Sequence, residues 1–332
     1  MKNMYLIIVL VITMSFLLIP LLATENSNND LKNSSDEIKK LEQNQKSDND
    51  DLKVIDEIKV YLNNKKEIIT LNSDEYILGV MAAEVLPEND TEALKAQALA
   101  IYTYAYRKHL QNSKADNDYD ITDDSTLDQG YFDADARKKK WGDKISDYEK
   151  CFKEAIKAVK NQLIIYNGEP ILAAYHYISA GKTETAKNVW GTDYPYLQSE
   201  NSIGDLLCPN FYSEVTVSVD EFTKIMTNAG ATVNTEAEKF IGVSEKSDSG
   251  TVLNIKLCGK DFTGAQVREI FNLKSAAFDI AFKNNSFVFS VSGYGHGVGM
   301  SQFGANYLAK QGSNYKEIIA AYYRGAEIVT LK

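Results

Sequence analysis

The chain is short of cysteine, histidine and positive charge. Its three cysteines, Cys151, Cys208 and Cys258, are far apart and form no C-x-x-C pair. That spacing excludes a disulfide-rich scaffold and a zinc ribbon, although it permits one disulfide. Only three histidines are present, which leaves little material for a His-rich metal site. Thirty-six Lys and Arg against 46 Asp and Glu give a net charge of −10, so we predict no nonspecific binding of nucleic acid.

A long apolar run without charge occupies residues 4–23. A helix of about twenty residues, rising roughly 1.5 Å per residue, spans a bilayer core of about 30 Å. The run ends without the small-residue site of a cleavable signal peptide, so we predict an uncleaved, single-pass membrane anchor at residues 1–23. Lys2 is the only positive charge before the run, and this bias places the rest of the chain outside the cytoplasm.

Residues 24–53 are rich in Asn, Ser, Asp, Glu, Lys and Gln. So polar a segment buries too little apolar surface to fold alone, and we predict a disordered tether. Residues 54–332 alternate helical and extended patterns without a repeating βαβ unit, which predicts a single elongated α+β body. The expected elements are strands within 54–70, 163–178, 215–219, 251–257 and 287–291, and helices near 73–84, 91–110 and 146–161 and from Asp220, Thr263, Met300 and Asn314 onward.

Glu84 is the single carboxylate in the apolar segment 81–87, MAAEVLP, at the predicted C-terminal end of a helix. Burial and the negative end of the helix dipole both favour the protonated form, so both would raise the pKa of this carboxyl. Such a group can donate a proton near neutral pH. The alternative is a glutamate that ends a helix in solvent, and periodicity alone does not choose between the two.

Residues 175–185, YHYISAGKTET, contain a Gly-Lys-Thr triplet. A phosphate-binding P-loop needs glycine five positions before Gly181, where His176 stands, so the sequence argues against nucleotide binding. A loop of Ser, Lys and Thr followed by Trp190 suits a polar ligand with apolar faces, such as a sugar. A purely structural loop is the alternative.

Glycines alternate at positions 293, 295, 297 and 299 within the string GYGHGVGMSQ. This spacing lacks the third glycine of the dinucleotide-binding fingerprint. Alternating glycine indicates that the backbone closely approaches a ligand or another strand before a helix begins near Met300. His296 is then either a ligand-facing group or a packed histidine bonded to the backbone.

In their order along the chain, these segments resemble the stage II sporulation protein D family. The resemblance covers about residues 71–331, and the string GHGVGMSQ at 295–302 is its most specific part. It also rests on the AAE-x-x-P loop at Glu84, the EALKAQA helix at 92–98, and the GKTE and VWG segments. The resemblance implies a lytic transglycosylase that cleaves the MurNAc–GlcNAc bond of peptidoglycan, prefers strands without stem peptides, and acts during forespore engulfment.

By this resemblance, Glu84 protonates the glycosidic oxygen and then acts as a base on the MurNAc 6-hydroxyl, which closes to a 1,6-anhydro product. One carboxylate suffices because no external water is activated. A hydrolase would need a second carboxylate about 5 to 9.5 Å away, and the sequence leaves Asp123, Asp124, Asp128 and Glu184 open for that role. The predicted substrate contacts are Tyr102, Gln129, Tyr175, Ser179, Lys182, Thr183, Trp190, His296, Ser301 and Gln302.

Two departures from the family pattern affect the predicted site. Many members carry Arg in the long helix where this chain has Tyr102, which can hydrogen-bond or stack on a sugar but supplies no cation. Some members carry a His-Cys pair that contributes to a zinc site, and this chain has Leu127-Asp128 there. We therefore predict neither a structural zinc nor any other cofactor.

The family resemblance also leaves a non-enzymatic alternative. Proteins of the amidase-enhancer type share these motifs, so the chain could instead be a wall-binding scaffold or an activator of a peptidoglycan amidase. The partners implied are peptidoglycan glycan strands, a sporulation amidase and a membrane anchor protein of the engulfment machinery. The implied location is the cell membrane, with the body in the space between the mother-cell and forespore membranes.

Overall fold

The computed structural model describes residues 52–115, 117–233 and 236–332. The predicted anchor, 1–23, and all but the last two residues of the predicted tether, 24–53, lie outside them. Within the described ranges, no helix has both the length and the apolar character needed to cross a bilayer.

The strands of these ranges, β1 to β14 in chain order, are Glu57–Leu62, Glu67–Asn72, Ile121–Thr122, Gln162–Tyr166, Glu169–Pro170, Tyr175–His176, Tyr212–Ser218, Ile241–Lys246, Val252–Leu257, Lys260–Thr263, Phe278–Lys283, Ser286–Ser292, Met300–Ser301 and Glu327–Thr330. The α-helices of the same ranges, α1 to α9, are Ser73–Glu84, Thr91–Lys114, Ala134–Trp141, Ile145–Ala158, Ala186–Trp190, Val219–Asn228, Gly264–Ile270, Gln302–Lys310 and Tyr315–Tyr322.

A hairpin and a capped helix open the body, and together they confirm the predicted mixture of strands and helices. Strands β1 and β2 pair antiparallel, and β1 also pairs in parallel with β3. The Asn72 side chain accepts a hydrogen bond from the Asp74 amide at 3.0 Å and thereby caps α1. At the other end, Val85 has an extended backbone that ends α1 at Glu84. The carboxyl of Glu84 therefore lies where the helix gives way to a loop.

Helix α2 is the central packing element of the body. It packs against α1, α4, α8 and α9. Ala96, Ala98 and Ala100 are fully buried, and such small side chains allow neighbouring helices to come close. The cap is Asp90, whose side chain accepts from the Glu92 amide at 3.0 Å, and Thr91 is the first helical residue, as the predicted helix at 91–110 requires.

Residues 212–292 form what we call the inserted lobe. It contains two antiparallel three-stranded sheets, ordered β11-β12-β7 and β10-β9-β8, together with α6 and α7. Its hydrophobic core is built around phenylalanines: the rings of Phe222 and Phe287 stack with centroids 3.9 Å apart, and Phe289 on the same face of β12 is also fully buried. Val267 of α7 belongs to this core, and the packing fixes α7 in the position from which it contributes to the cleft described below.

The chain leaves the inserted lobe through the alternating glycines and runs beside residues 174–184. The Tyr294 amide donates to the Ile178 carbonyl at 2.7 Å, and the Met300 amide donates to the Ala174 carbonyl at 3.0 Å. All four glycines at 293–299 have positive φ, between 72° and 119°. The predicted close approach is therefore to another backbone segment, since glycine adopts positive φ without strain and its missing Cβ leaves room for the neighbouring chain.

The range 163–178, predicted to contain strands, forms a hairpin only in its first part. Asn167 and Gly168 have positive φ of 51° and 80°, as a tight hairpin turn requires. Strand β5 ends at Pro170, and the chain then leaves β4. Residues 175–176 pair instead in parallel with 300–301, because the glycine-rich segment offers a second partner that the local pattern does not show.

Candidate active site

A cleft of about 580 Å³ opens between the inserted lobe and the rest of the body. Its lining includes Glu84 and the loop at 125–129, together with Arg268 of α7 and residues 294–296. Of the predicted site residues, Glu84, Gln129, Tyr175, Trp190, His296 and Gln302 line this cleft.

Both carboxyl oxygens of Glu84 are hydrogen-bonded. Oε1 accepts from the Gly130 amide at 2.6 Å, and Oε2 accepts from the Tyr175 hydroxyl. Burial raises the pKa of Glu84, while these two hydrogen bonds lower it and offset part of the rise. The net pKa is above the ordinary value, so Glu84 keeps its proton to higher pH than an exposed glutamate. A Cβ at Gly130 would lie 3.2 Å from Oε1, so a larger residue at this position would press on the carboxyl of Glu84.

A chain of side-chain hydrogen bonds that runs from Tyr76 through Gln129 and Tyr175 orients Glu84. The Tyr76 hydroxyl donates to Gln129 Oε1 at 2.8 Å, and Gln129 Nε2 donates to the Tyr175 hydroxyl at 2.9 Å. Burial raises the pKa of Tyr175 well above its ordinary value, so its phenol stays protonated and donates to Glu84. The fully connected chain holds the carboxyl in one orientation.

Asp128 is a second carboxylate in the cleft lining, and it is already paired. Its Oδ1 lies 2.6 Å from Lys108 Nζ and accepts from the Tyr104 hydroxyl at 3.0 Å. Its Oδ2 accepts from the Thr122 amide at 3.0 Å. A carboxylate held by an ammonium, a phenol and an amide has little capacity left to activate water or attack a sugar.

The other three carboxylates left open by the sequence, Asp123, Asp124 and Glu184, are absent from the described lining of the cleft. Glu184 is only 2% exposed and accepts from the Ser247 hydroxyl at 2.5 Å, which ties its loop to the inserted lobe. Burial raises the pKa of Glu184, but its hydroxyl and amide donors outweigh burial and leave the pKa below the ordinary value. Among the described residues that line the cleft, Glu84 is thus the one carboxylate without an ion pair.

Two histidine rings form a neutral part of the cleft wall. The Nδ1 atom of His296 accepts from the Val298 amide at 3.0 Å, and its ring centroid lies 5.6 Å from that of His176. Burial, together with the charges of His176 and Arg268, lowers the pKa of His296 to about 3. Burial also lowers the pKa of His176 to about 4. His296 is therefore both bonded to the backbone and part of the cleft, so the two alternatives for it are not exclusive.

The low pKa of His176 predicts a specific loss of stability in acid. In the unfolded chain this ring titrates near its ordinary pKa of 6.5, and in the folded chain near about 4. The unfolded state therefore binds more protons as the pH falls below about 6.5, and folding stability decreases. We expect His176→Asn, which retains a donor for the Val298 carbonyl, to reduce the loss between pH 6.5 and 4.5 by about 2 kcal/mol. Urea unfolding of both proteins at the two pH values measures this, and equal losses would contradict the assignment.

Apolar side chains with exposed faces form the rim of the cleft. Trp190 is 42% exposed, Tyr294 is 43% exposed and Leu127 is 67% exposed. The Trp190 ring lies 5.1 Å from that of His296, which supports it from one side. Sugar rings present apolar faces with polar edges, and an aromatic rim around a few polar groups suits them.

Ser179 and Ser301 lie outside the cleft lining, although the sequence suggests substrate contacts. They are 1% and 0% exposed. The Ser179 hydroxyl donates to Asp205 Oδ2 at 2.5 Å, and the Ser301 hydroxyl donates to Asp205 Oδ1 at 2.7 Å. Burial raises the pKa of Asp205, while the serine donors lower it in part. The two serines thus fasten the loops that carry the cleft wall, and they do so through a buried carboxylate.

Tyr102, Lys182 and Thr183 also fall outside the cleft. Tyr102 is 6% exposed, and its hydroxyl bonds the backbone of Ile55. Thr183 is fully buried, and its hydroxyl accepts from the Glu200 amide at 2.8 Å. Lys182 lines a separate small cavity of about 20 Å³. The helix face of Tyr102 is turned into the core, so this position cannot reach a ligand in the cleft.

Sequence reasoning missed Tyr104, His176, Arg268 and Tyr294 as cleft residues. Tyr104 lies two positions after Tyr102 on α2, a step that places it on the other face of the helix. Its cleft location could have been found from helical periodicity. Arg268 carries no local signal, because only the packing of the inserted lobe brings α7 to the cleft.

Comparisons with known proteins bear on this arrangement. The sequence model of the family described as "Stage II sporulation protein" matches residues 61–166, which include Glu84. Stage II sporulation protein D of Bacillus amyloliquefaciens is 32% identical over 272 residues, covering 82% of this chain and 78% of that protein. The protein of the same name from Bacillus subtilis (strain 168) is 31% identical over 273 residues, with the same coverage.

A more distant relative has a different name. The Amidase enhancer of Bacillus subtilis (strain 168) is 24% identical over 302 residues, covering 76% of this chain and 40% of that protein. The matches to the two sporulation proteins extend over most of each chain. The chain therefore belongs to the stage II sporulation protein D family.

Proposed function

We propose that this sporulation-family protein is a lytic transglycosylase that cleaves the MurNAc–GlcNAc bond of peptidoglycan during forespore engulfment. The observation that carries the proposal is the electrostatic contrast between two carboxyls of one cleft. Burial raises the pKa of Glu84 above its ordinary value, whereas Asp128 is held as an ion pair with Lys108. A proton donor without a free second carboxylate fits a reaction that needs one acid and no activated water.

The proposed reaction uses Glu84 twice. Glu84 first gives its proton to the glycosidic oxygen as the bond from that oxygen to C1 of MurNAc breaks. The carboxylate then takes the proton of the MurNAc 6-hydroxyl while the oxygen of that hydroxyl bonds to C1. This step closes the 1,6-anhydro ring and restores the protonated Glu84. The hydrogen bonds from Tyr175 and the Gly130 amide stabilise the carboxylate between the two steps.

Isotopically labelled water distinguishes this reaction from hydrolysis. In the proposed reaction the new bond to C1 comes from the sugar's own oxygen, so cleavage of peptide-free strands in labelled water introduces no label. A hydrolase using Asp128 would place one labelled oxygen at C1 of each new end. Label in the fragments from the full chain would overturn the proposal.

The pH profile should respond to Tyr175 in a defined direction. Glu84 must be protonated to start the reaction, so kcat/KM should fall as the pH rises through its pKa. The Tyr175 hydrogen bond lowers that pKa, and burial raises it. We therefore expect Tyr175→Phe to move the alkaline limb of kcat/KM to higher pH, whatever it does to the maximum. A limb that stays in place or moves to lower pH would show that Glu84 is not the titrating acid.

A second candidate function is activation of an amidase, and the relative named Amidase enhancer favours it. In that case a purified peptidoglycan amidase turns over faster when the chain is added, and no glycan fragments appear. Glu84→Gln leaves the stimulation unchanged, because the proton donor has no role in it. Loss of both stimulation and cleavage in this variant would exclude pure activation.

We also propose that residues 1–23 anchor the protein in a membrane with the body outside the cytoplasm. The apolar length of 4–23 supports this location. A preference for peptide-free strands makes a sporulation amidase an expected partner, and the family resemblance adds a membrane anchor protein of the engulfment machinery. Protease added to intact mother cells after removal of the outer wall, and before the forespore membrane has closed, should degrade the body, and complete protection at that stage would contradict the orientation.

A further inference from the structure

Arg268 is a cation in the cleft without an anionic partner. It lies on α7 of the inserted lobe and is half-buried. Among residues 52–115, 117–233 and 236–332, no carboxylate lies within ion-pair distance of its guanidinium and no hydrogen bond satisfies it. A partly desolvated charge without a partner is unfavourable in the free protein, and an anionic ligand group would relieve that cost.

The surroundings of Arg268 do not cancel its charge. The neighbouring rings of His176 and His296 have pKa values lowered to about 4 and about 3, so both are neutral at pH 7. The carboxylate of Asp128 is paired with Lys108, and burial raises the pKa of Glu84. Although the whole chain has a net charge of −10, this cleft presents an uncompensated positive group.

A second cation lies close to the same wall. The Nζ atom of Lys274 stands 5.3 Å from the ring centroid of Tyr294, and the Lys274 carbonyl accepts from the Gly295 amide at 3.0 Å. The inserted lobe therefore brings two positive side chains to the glycine-rich segment that carries His296. Of these two, Arg268 itself lines the cleft and has the planar guanidinium that binds a carboxylate through two parallel hydrogen bonds.

We propose that Arg268 binds the free lactyl carboxylate of MurNAc residues from which the stem peptide has been removed. This inference rests on the proposed substrate, a peptidoglycan strand. While the peptide is attached, the lactyl carboxyl is part of a neutral amide. Hydrolysis of that amide leaves a negatively charged carboxylate on the lactyl group of the sugar. An unpaired guanidinium beside an aromatic rim that contacts the sugar would bind this carboxylate selectively. A preference for peptide-free strands then has a chemical cause, and an amide hydrolase must act first.

The test measures binding with turnover removed. The full chain carrying Glu84→Gln is titrated with peptide-free MurNAc–GlcNAc strands and with the same strands after methyl esterification of their lactyl carboxylates. We expect about ten- to one-hundredfold tighter binding of the free acid. Adding Arg268→Gln should remove this preference. Adding Arg268→Lys should keep part of it, since the ammonium retains the positive charge but cannot form the two parallel hydrogen bonds of the guanidinium.

Arg324→Gln is the matched control, because it removes the same charge at an exposed ion pair with Glu200. It should leave the full preference for the free acid. Arg268→Gln should not lower the thermal unfolding temperature, because the described residues offer this side chain no hydrogen bond to lose and its unpaired charge is itself unfavourable in the free protein. An Arg268→Gln variant that still prefers the free acid, or a Glu84→Gln protein that binds ester and acid equally, would overturn the inference.

These outcomes are separable from those of the proposed function. If the chain with Glu84 intact makes no glycan fragments while the acid preference still depends on Arg268, the transglycosylase proposal fails and the carboxylate site stands. If fragments with anhydro ends form and the preference is insensitive to Arg268, the reaction stands and the carboxylate site fails.

Discussion

Replacing Glu84 with glutamine should abolish glycan cleavage and leave strand binding intact. The amide can still accept from the Gly130 backbone and has nearly the shape of the carboxyl, but it has no transferable acidic proton. Since a positioned general acid contributes about 10²- to 10⁴-fold, cleavage should fall by at least that factor. Fragment release and strand binding should be measured on the same preparation.

Glu88→Gln provides a control for this substitution. Glu88 lies four residues further on, and its carboxylate is exposed and accepts from the Tyr148 hydroxyl at 2.6 Å. Its replacement should change cleavage by no more than about twofold. Comparable losses of cleavage in the two variants would mean that cleavage depends on any negative charge near the end of α1, and that Glu84 has no special role.

Gly299→Ala should be the most destabilising single-methyl change in the glycine-rich segment. Gly299 has φ of +72°, and a Cβ there would lie 2.0 Å from the Ala174 carbonyl oxygen. That oxygen accepts from the Met300 amide at 3.0 Å and from the Tyr323 hydroxyl at 2.9 Å, so moving it weakens two hydrogen bonds. A strained backbone conformation and two weakened bonds together predict a loss of about 3 to 5 kcal/mol in the free energy of unfolding.

Gly259→Ala isolates the backbone contribution. Gly259 has φ of +78°, close to that of Gly299, and no atom lies within 4 Å of the position that a Cβ would take. Only the positive φ should contribute at Gly259, and we expect Gly259→Ala to lower the free energy of unfolding by about 1 to 2 kcal/mol. Urea unfolding of the two variants should therefore differ by about 2 kcal/mol or more. Equal losses would show that the contact between residues 299 and 174 is not as tight as described.

Local patterns in the sequence predict much of the body. Period-two alternation predicts the strands before α1. Capping residues predict the helices that begin after Thr263 and Asn314, and the sequence also predicts the end of α1 at Glu84. These features depend on residues close together in the chain. The extended character of residues 175–176 was predicted, but their parallel pairing with residues 300–301 was not, because that pairing depends on a distant segment.

The candidate site shows the same division. Glu84 is recognisable from a carboxyl in an apolar helix end, and burial does raise its pKa. The loop serines are misleading because Ser179 and Ser301 turn inward to Asp205, a partner that lies in a separate part of the chain. Arg268 is invisible in sequence, since its helix has an ordinary capping box and no motif. Residues become a cleft wall only when the inserted lobe packs against the body.

The central claim, that Glu84 breaks the glycan strand by internal ring closure, is tested most directly by mass spectrometry of the products. The full chain and its Glu84→Gln variant are incubated with peptidoglycan strands that lack stem peptides. We expect fragments ending in 1,6-anhydroMurNAc from the unsubstituted protein alone. Fragments with free reducing ends, or anhydro fragments from both proteins, would contradict it.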